Sequence, residues 1–238
     1  ELCTLFLDPD YRLNKNGKFL SKVRFLFLSA FRQYFEETIV AEMRGYSDAN
    51  GQSPFWNAVG HKFFNIEFSG VGQKAFIAEL MPRHPLYVDM LPDDAKAAIG
   101  IVHPNTRPAY NLLLEEGLRY KGYIDIFDGG ATLQADIENL RAIKESQILT
   151  VQVVESIPLS LGDEPYIVAN DNYENYRAIL VFGTPYQESL QITKAQAKQL
   201  KVENGGLVRV LSVHVKQDSN PQIVNKIKET EHLRMAVN

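Results

Sequence analysis

Apolar residues recur along the first part of the chain in two patterns, one typical of strands and one typical of helices. The opening run from Leu2 to Leu7 is almost entirely apolar and predicts a buried strand. A polar loop from Tyr11 to Gly17 follows it. The next segment, Lys18 to Phe35, predicts a long amphipathic helix with Lys22 away from its apolar positions. Those positions, at helical spacing, are Leu20, Val23, Phe27, Phe31 and Tyr34.

Between residues 39 and 130 the pattern predicts strands mixed with short helices. The strand-like segments are Ile39–Gly45, Phe63–Phe68 and Tyr120–Phe127. Helices are predicted from Ser53-Pro54, over Asp93–Ile99, and from a cap at Asn105 or Thr106 to a stop at Gly117. The region therefore predicts a mixed α/β (α+β) sheet with flanking helices.

Beyond Lys144 short strands separated by polar turns dominate. The predicted strands are Ile148–Val154, Tyr166–Ala169, Arg177–Phe182 and Leu207–Val213, with one helix over Lys194–Leu200. We interpret residues 1–145 as one region and residues 146–238 as a smaller β-rich C-terminal region. A boundary in the loop from Pro158 to Pro165 is equally compatible with this pattern.

Composition and charge exclude several classes of function. The chain has 238 residues, is 45 % hydrophobic and 23 % charged, and carries a formal net charge of −4. This composition is typical of a globular protein, and its scattered basic residues argue against a nucleic-acid partner. No apolar run approaches the length of a membrane span. A single cysteine, Cys3, excludes an internal disulfide, so we expect a cytoplasmic protein.

The predicted strand, loop and long helix at the start of the chain form a candidate anion site. A loop at a helix N-terminus presents backbone N–H groups and the positive end of the helix dipole, which together suit a pyrophosphate. Lys15 and Lys18 would add positive charge. An ordinary connection between a strand and a helix has the same pattern, so both interpretations remain open.

His103 is the candidate for proton chemistry. It precedes two prolines in Gly100-Ile-Val-His-Pro-Asn-Thr-Arg-Pro-Ala109 and stands immediately before a predicted helix. Histidine titrates near neutral pH, and a helix N-terminus favours its neutral form. A neutral imidazole accepts a proton from an ammonium and later returns it to a leaving thiolate. A histidine that only binds the loop backbone is the alternative.

Other reactive residues are weaker candidates. We interpret Cys3 as inert filling within an apolar strand, and the histidine spacing predicts no metal site. Four acids flank apolar runs and are candidates to hold a guanidinium: Glu42, Glu79, Asp125 and Asp128.

Long contiguous segments resemble the arginine N-succinyltransferase family over essentially the whole chain. The matching segments are Glu1–Asp10, Ala41–Gly45, Ser53–Trp56, Gln73–Pro82, the His103 segment and Tyr123–Gly130. The family belongs to the GNAT-like acyltransferases. The resemblance implies transfer of a succinyl group from succinyl-CoA to the α-amine of L-arginine, the first step of an ammonia-producing route of arginine catabolism.

The resemblance also implies a set of site residues. His103 matches the family's proton donor, and Leu5 matches its succinyl-CoA position. We assign the remaining co-substrate contacts to Arg12, Asn16, Gly17 and Lys18 in the loop and first turn that follow. Succinyl-CoA acts as a co-substrate, and no permanently bound cofactor or metal is expected.

Some features of the sequence differ from the family or leave its function open. The family has further N-terminal strands and helices and a short additional stretch between Ser69 and Gly70. Ile101 and Ala131 replace a commoner polar residue and a usual proline. Ornithine or another amine is an alternative acceptor, and a non-catalytic subunit is an alternative role. We expect either a homo-oligomer or a hetero-oligomer with a paralogous subunit.

Overall fold

The protein was analysed as a computed structural model that describes residues 1–63, 84–157, 164–183 and 185–215. In these residues two sheets lie one after the other along the chain, each with helices packed on it. The helices are α1 (Asn16–Ala30), α2 (Pro54–Ala58), α3 (Gly60–Phe63), α4 (Asp93–Ala98), α5 (Arg107–Glu115), α6 (Arg141–Glu145) and α7 (Lys194–Leu200). The strands are β1 (Thr38–Glu42), β2 (Arg119–Ile124), β3 (Ala131–Asp136), β4 (Gln147–Val154), β5 (Glu164–Asn170), β6 (Ala178–Gly183), β7 (Ser189–Thr193) and β8 (Leu207–Ser212).

The first sheet has the strand order β1-β3-β2, with antiparallel pairing throughout. The predicted strands at the positions of β1 and β2 are confirmed. The sequence analysis missed β3, because it ended the strand at the Gly129-Gly130 turn. β3 returns beside β1 with Ala131, Leu133 and Ala135 buried, which is the alternation of a strand with one face in the core.

The second sheet has the strand order β6-β5-β8-β4-β7. Its pairs are antiparallel except β4 and β7, which run parallel. The four strands and the helix predicted in this region are confirmed. β7 was missed because it is only five residues long and follows a turn-like polar segment. Thr193 and Gln196 form a capping box that starts α7 directly after it.

One hydrophobic core extends from the first sheet to the second. Phe25 and Leu26 of α1 are fully buried, and the same cluster contains Leu133 of β3, Ile167 of β5 and Leu211 of β8. A separate cluster packs α7 against the other face of the second sheet. α1 therefore contributes to an apolar core that strands of both sheets share.

The prediction of a buried strand at Leu2 to Leu7 is wrong. The segment is irregular, Leu5 is 44 % exposed and Phe6 is 69 % exposed. The Leu2 N–H donates to Val40 O at 2.8 Å, but Thr4 then adopts a left-handed φ of 49°, which turns the backbone away from β1. The interpretation of Cys3 as buried filling is also wrong, because this free cysteine is exposed.

The predicted apolar face of α1 is only partly correct. Phe27 and Phe31 contact Tyr173 and Tyr176 in an aromatic cluster. The side of the helix that faces the main core instead carries Phe25 and Leu26, together with the charged Lys22, which is fully buried. The helix thus packs on two sides, which a single stripe of apolar residues does not reveal.

Several predictions lie outside the described residues. These are most of the strand Phe63–Phe68, the turn at Gly70 and Gly72, the extra stretch expected between Ser69 and Gly70, and the tail from Asn220. Within the described ranges, no helix is long and apolar enough to cross a membrane.

Candidate functional site

A cavity of about 710 Å³ opens between the first residues of the chain, α1, β1 and α5. One side is formed by residues 1–5, and the opposite side by the end of β1 and Met43. The remaining walls come from the first turns of α1 and from α5. The lining residues with charged side chains are Glu1, Lys18, Arg24, Glu42 and Glu115. The cavity is therefore a mainly apolar cleft whose lining also carries positive and negative side chains.

The free edge of β1 leads from this cavity to His103. Met43 N–H donates to Ala131 O at 3.1 Å, so odd-numbered residues of β1 bond toward β3. The backbone N–H and C=O groups of Val40 and Arg44 point away from β3, because these groups alternate in direction along a strand. Val40 O accepts the Leu2 N–H, and Arg44 O accepts the His103 N–H at 2.9 Å. The first residues and His103 thus attach to the same edge, at Val40 and Arg44, which are four residues apart.

His103 is held by its own side chain at the start of the helical segment that leads into α5. It caps a 3₁₀ turn over Pro104–Thr106, and its Nδ1 accepts the Asn105 backbone N–H at 3.2 Å. Thr106 occupies the N-cap position of α5, one of the two predicted positions, but its side chain makes no capping hydrogen bond. His103 is half-buried, and Val102 beside it bridges Gly45.

This hydrogen bond determines what the imidazole can do. A ring nitrogen that accepts a hydrogen bond carries no proton, so neutral His103 holds its proton on Nε2. We expect nitrogen-15 NMR of the labelled protein to show a protonated Nε2 and an unprotonated Nδ1. The exposed His214 should instead report a mixture of tautomers. A proton on Nδ1 of His103 would contradict the observed geometry.

The loop residues predicted to contact the co-substrate lie together at the start of α1. Gly17 and Lys18 line the cavity, as does Leu5 across from them. Arg12 donates from Nε to Leu7 O at 2.9 Å, and Asn16 donates from Nδ2 to Tyr11 O at 3.0 Å. These two side chains shape the loop from within and are absent from the cavity lining.

The beginning of α1 has the geometry of an anion site without an acidic residue in its first turn. Asn14 and Lys15 both have left-handed backbone angles, which bend the loop sharply into the helix. The first N–H groups of a helix point out of its end, and the helix dipole makes that end positive. Burial lowers the pKa of Arg24, the second cation of the cavity, and the nearby Cys3 opposes that shift.

A buried ion-pair network connects α1, α5 and α6, and sequence reasoning missed it. Glu116 is fully buried and pairs with Lys22 and with Arg141, whose Nη2 lies 3.1 Å from Glu116 Oε1. Arg141 also donates to Ser212 O at 3.1 Å and pairs with Glu145. The only indication of this network in the sequence is the pair Glu115-Glu116 at the end of a predicted helix.

The four acids proposed as guanidinium ligands separate into distinct roles. Asp125 accepts the Phe127 and Asp128 N–H groups, and Asp128 accepts those of Gly45 and Gly130. Both therefore stabilise the turn before β3. Glu42 lines the cavity, and Glu79 lies outside the described residues.

Two backbones cross closely beside the His103 attachment point. A Cβ on Gly130 would lie 2.1 Å from Met43 O and 2.6 Å from Gly45 N. We expect Gly130→Ala to lower the free energy of unfolding by about 1–3 kcal/mol, since backbone atoms must move to admit the methyl group. Urea unfolding measures this. Gly183→Ala is the control, because, apart from its chain neighbours, none of the described residues has an atom within 4 Å of its Cβ; equal stability of the two variants would contradict the close crossing.

Comparison with known proteins places this site in a family. A family model described as the arginine N-succinyltransferase beta subunit matches residues 1–142. The chain belongs to the arginine N-succinyltransferase family. A second model, for the C-terminal domain of the same subunit, matches residues 147–212. The resemblance inferred from the sequence motifs is thereby confirmed.

Individual members of the arginine N-succinyltransferase family are close in sequence. The chain is 54 % identical over 223 residues to the arginine N-succinyltransferase of Yersinia pseudotuberculosis serotype O:3 (strain YPIII). It is 52 % identical over 217 residues to that of Citrobacter koseri. These alignments cover 90 % and 89 % of the chain, but only 64 % and 62 % of the relatives. The chain thus spans a little under two thirds of the length of these relatives.

A solved structure of the same family confirms the fold. Arginine/ornithine succinyltransferase subunit AI from Pseudomonas aeruginosa superposes with a TM-score of 0.75 at 32 % identity. The match covers 88 % of this chain and 61 % of that chain. The expected mixed α/β, GNAT-like fold is confirmed by this match.

Proposed function

We propose that this protein transfers the succinyl group of succinyl-CoA to the α-amine of L-arginine, giving N2-succinyl-L-arginine and CoA. Family membership supports the reaction class. The observation that carries the proposal is the edge of β1, which leads from a cavity beside the α1 N-terminus to an N-capping histidine.

The acyl-CoA half of the site is proposed to be the cavity and the loop beside it. The pantetheine and succinyl groups would occupy the cleft between residues 1–5 and β1, against Leu5. The pyrophosphate would lie at the start of α1, near Gly17 and Lys18. The positive helix end and the lysine charge support this orientation. Arg12 and Asn16 are proposed to maintain the loop shape that presents these groups.

The chemistry follows from the charges that develop during acyl transfer. The arginine α-ammonium loses a proton to solvent, and its nitrogen attacks the thioester carbon to form a C–N bond. Backbone N–H groups at the free edge of β1 would stabilise the resulting oxyanion. The C–S bond then breaks, and negative charge moves to sulfur while the new amide nitrogen loses its second proton to solvent.

His103 is proposed to act on the departing sulfur. With its proton on Nε2, the neutral imidazole donates a hydrogen bond to the thiolate as charge develops. Complete transfer of that proton requires Nδ1 to gain one, which releases the Asn105 N–H. The hydrogen bond to Asn105 therefore favours a donor role over an initial acceptor role.

One assay tests the function. Thiol release from succinyl-CoA would be followed with arginine, ornithine and lysine as acceptors, using the purified full-length protein. We expect turnover with arginine. Turnover with ornithine is the second candidate, because the matching Pseudomonas aeruginosa structure is that of an arginine/ornithine succinyltransferase subunit. A folded preparation that binds CoA but turns over no amine would instead support a non-catalytic subunit.

We also propose that the two regions of the chain have different roles. Residues 1–145 would bind the acyl-CoA and the acceptor. Residues 146–238 would hold α1 in place through the packing of the second sheet against it. The shared core between α1 and strands β5 and β8 favours this role. We propose that the protein works in the cytoplasm as a homo-oligomer or with a paralogous subunit. Light scattering of the purified protein would measure its assembly, and cell fractionation its compartment.

A further inference from the structure

Two adjacent glutamates at the end of α5 hold two lysines of α1. Glu116 pairs with Lys22, and both side chains are fully buried. Glu115 Oε2 lies 3.2 Å from Lys18 Nζ and 3.5 Å from Lys22 Nζ. Lys18 and Lys22 are one helical turn apart and therefore lie on the same side of α1. A single carboxylate oxygen is thus shared between an interior lysine and a lysine of the cavity.

The two lysines depend on Glu115 to different degrees. Lys22 has Glu116 as its main partner, and Glu116 is itself fixed by the Arg141 guanidinium. The contact between Lys22 and Glu115, at 3.5 Å, is the longer of the two that Lys22 makes. Lys22 consequently stays neutralised if Glu115 loses its charge.

Lys18 and Glu115 form a pair that can separate. Their side chains are 35 % and 40 % exposed, and both line the cavity. An ion pair in such a position is weak, and salt screens it. An anion that binds at the start of α1 is therefore able to replace Glu115 as the ion-pair partner of Lys18, while Lys22 stays paired with the buried Glu116.

We propose that Glu115 is a competing counter-charge that lowers the affinity of the α1 N-terminus for the acyl-CoA phosphates and promotes the release of CoA. This inference rests on the proposed acyl-CoA site. On binding, the Lys18 ammonium moves from the Glu115 carboxylate to a phosphate oxygen; on release it returns. Glu116 confines the exchange to Lys18, because it keeps Lys22, and therefore α1, in place.

Calorimetric titration with CoA tests the inference, using the full-length protein and its Glu115→Gln variant. We expect the variant to bind CoA about two- to fivefold more tightly, which is the range given by loss of one exposed ion pair. The difference should shrink in high salt. In a Lys18→Met background the same substitution should have no effect, because the interaction is pairwise.

The control variant removes one negative charge at a position away from the cavity. Glu138→Gln removes a carboxylate that pairs with Arg32 beyond the far end of α1, and it should leave CoA affinity unchanged. Glu115→Asp, which shortens the side chain but keeps the charge, should tighten binding less than Glu115→Gln. If Glu115→Gln does not fold, Glu115→Asp tests the inference in its place.

The outcomes separate this inference from the proposed function. Equal or weaker CoA binding by the Glu115 variants, with normal binding by the wild type, overturns the inference alone. A gain that persists in the Lys18→Met background also overturns it, since the effect would then not pass through Lys18. Absence of CoA binding by the folded wild-type protein removes the acyl-CoA site itself, and both proposals with it.

Discussion

Replacement of His103 by alanine should lower the turnover of succinyl-CoA and arginine by roughly one hundred- to ten-thousandfold, the usual range for loss of a proton-transfer group. CoA binding should remain nearly unchanged, because other residues line the cavity that receives the co-substrate, and the proposed hydrogen bond from His103 to sulfur strengthens only as negative charge develops. Steady-state thiol release measures the first quantity, and calorimetric titration with CoA measures the second.

A second substitution separates chemistry from folding. Asparagine is a good N-cap, so His103→Asn can keep the hydrogen bond from the Asn105 N–H while it removes the imidazole. We expect His103→Asn to be as inactive as the alanine variant but more stable. His214→Ala replaces an exposed histidine that follows β8, and this variant should behave like the wild type. Wild-type turnover by either His103 variant would refute its role.

Replacement of Glu116 by alanine should be the most destabilising single change in the ion-pair network. It leaves fully buried Lys22 with only the 3.5 Å contact to Glu115, and it removes two of the acceptors of Arg141. Loss of one partner from a buried ion pair costs about 3–5 kcal/mol. Urea unfolding, which adds no ions, measures the change in the free energy of unfolding.

Matched variants show whether that loss comes from the uncompensated charge. Lys22→Met fills similar space and leaves Glu116 paired with Arg141, so we expect a much smaller loss than for Glu116→Ala. Glu138→Ala removes an exposed carboxylate and should change stability by less than about 1 kcal/mol. A Glu116→Ala variant as stable as Glu138→Ala would show that Lys22 finds another partner or reaches solvent.

The network and the candidate site share the same helices. α5 begins directly after the turn that His103 caps, and the network begins at its other end. α1 carries the loop at its start and Lys22 in its second turn. The buried charges therefore fix the two helices that form walls of the cavity, without themselves contacting a substrate.

Local residue patterns predicted much of the fold. Alternating apolar residues predicted β1, β2 and most strands of the second sheet, and Ser53-Pro54 predicted the start of α2, where Ser53 caps the helix. These features depend on neighbours within a few residues, which the sequence displays directly. The family was also evident from contiguous motifs, and with it the candidate His103.

Tertiary structure decided the features that depend on distant partners. The sequence by itself determined which residues favour helix or strand, but not that Leu2 to Leu7 would leave β1 after one hydrogen bond. It marked Lys22 as polar, whereas Glu116, 94 residues away, makes its burial possible. A charge is buried only where another segment supplies its counter-charge, and a strand forms only where another strand accepts its hydrogen bonds.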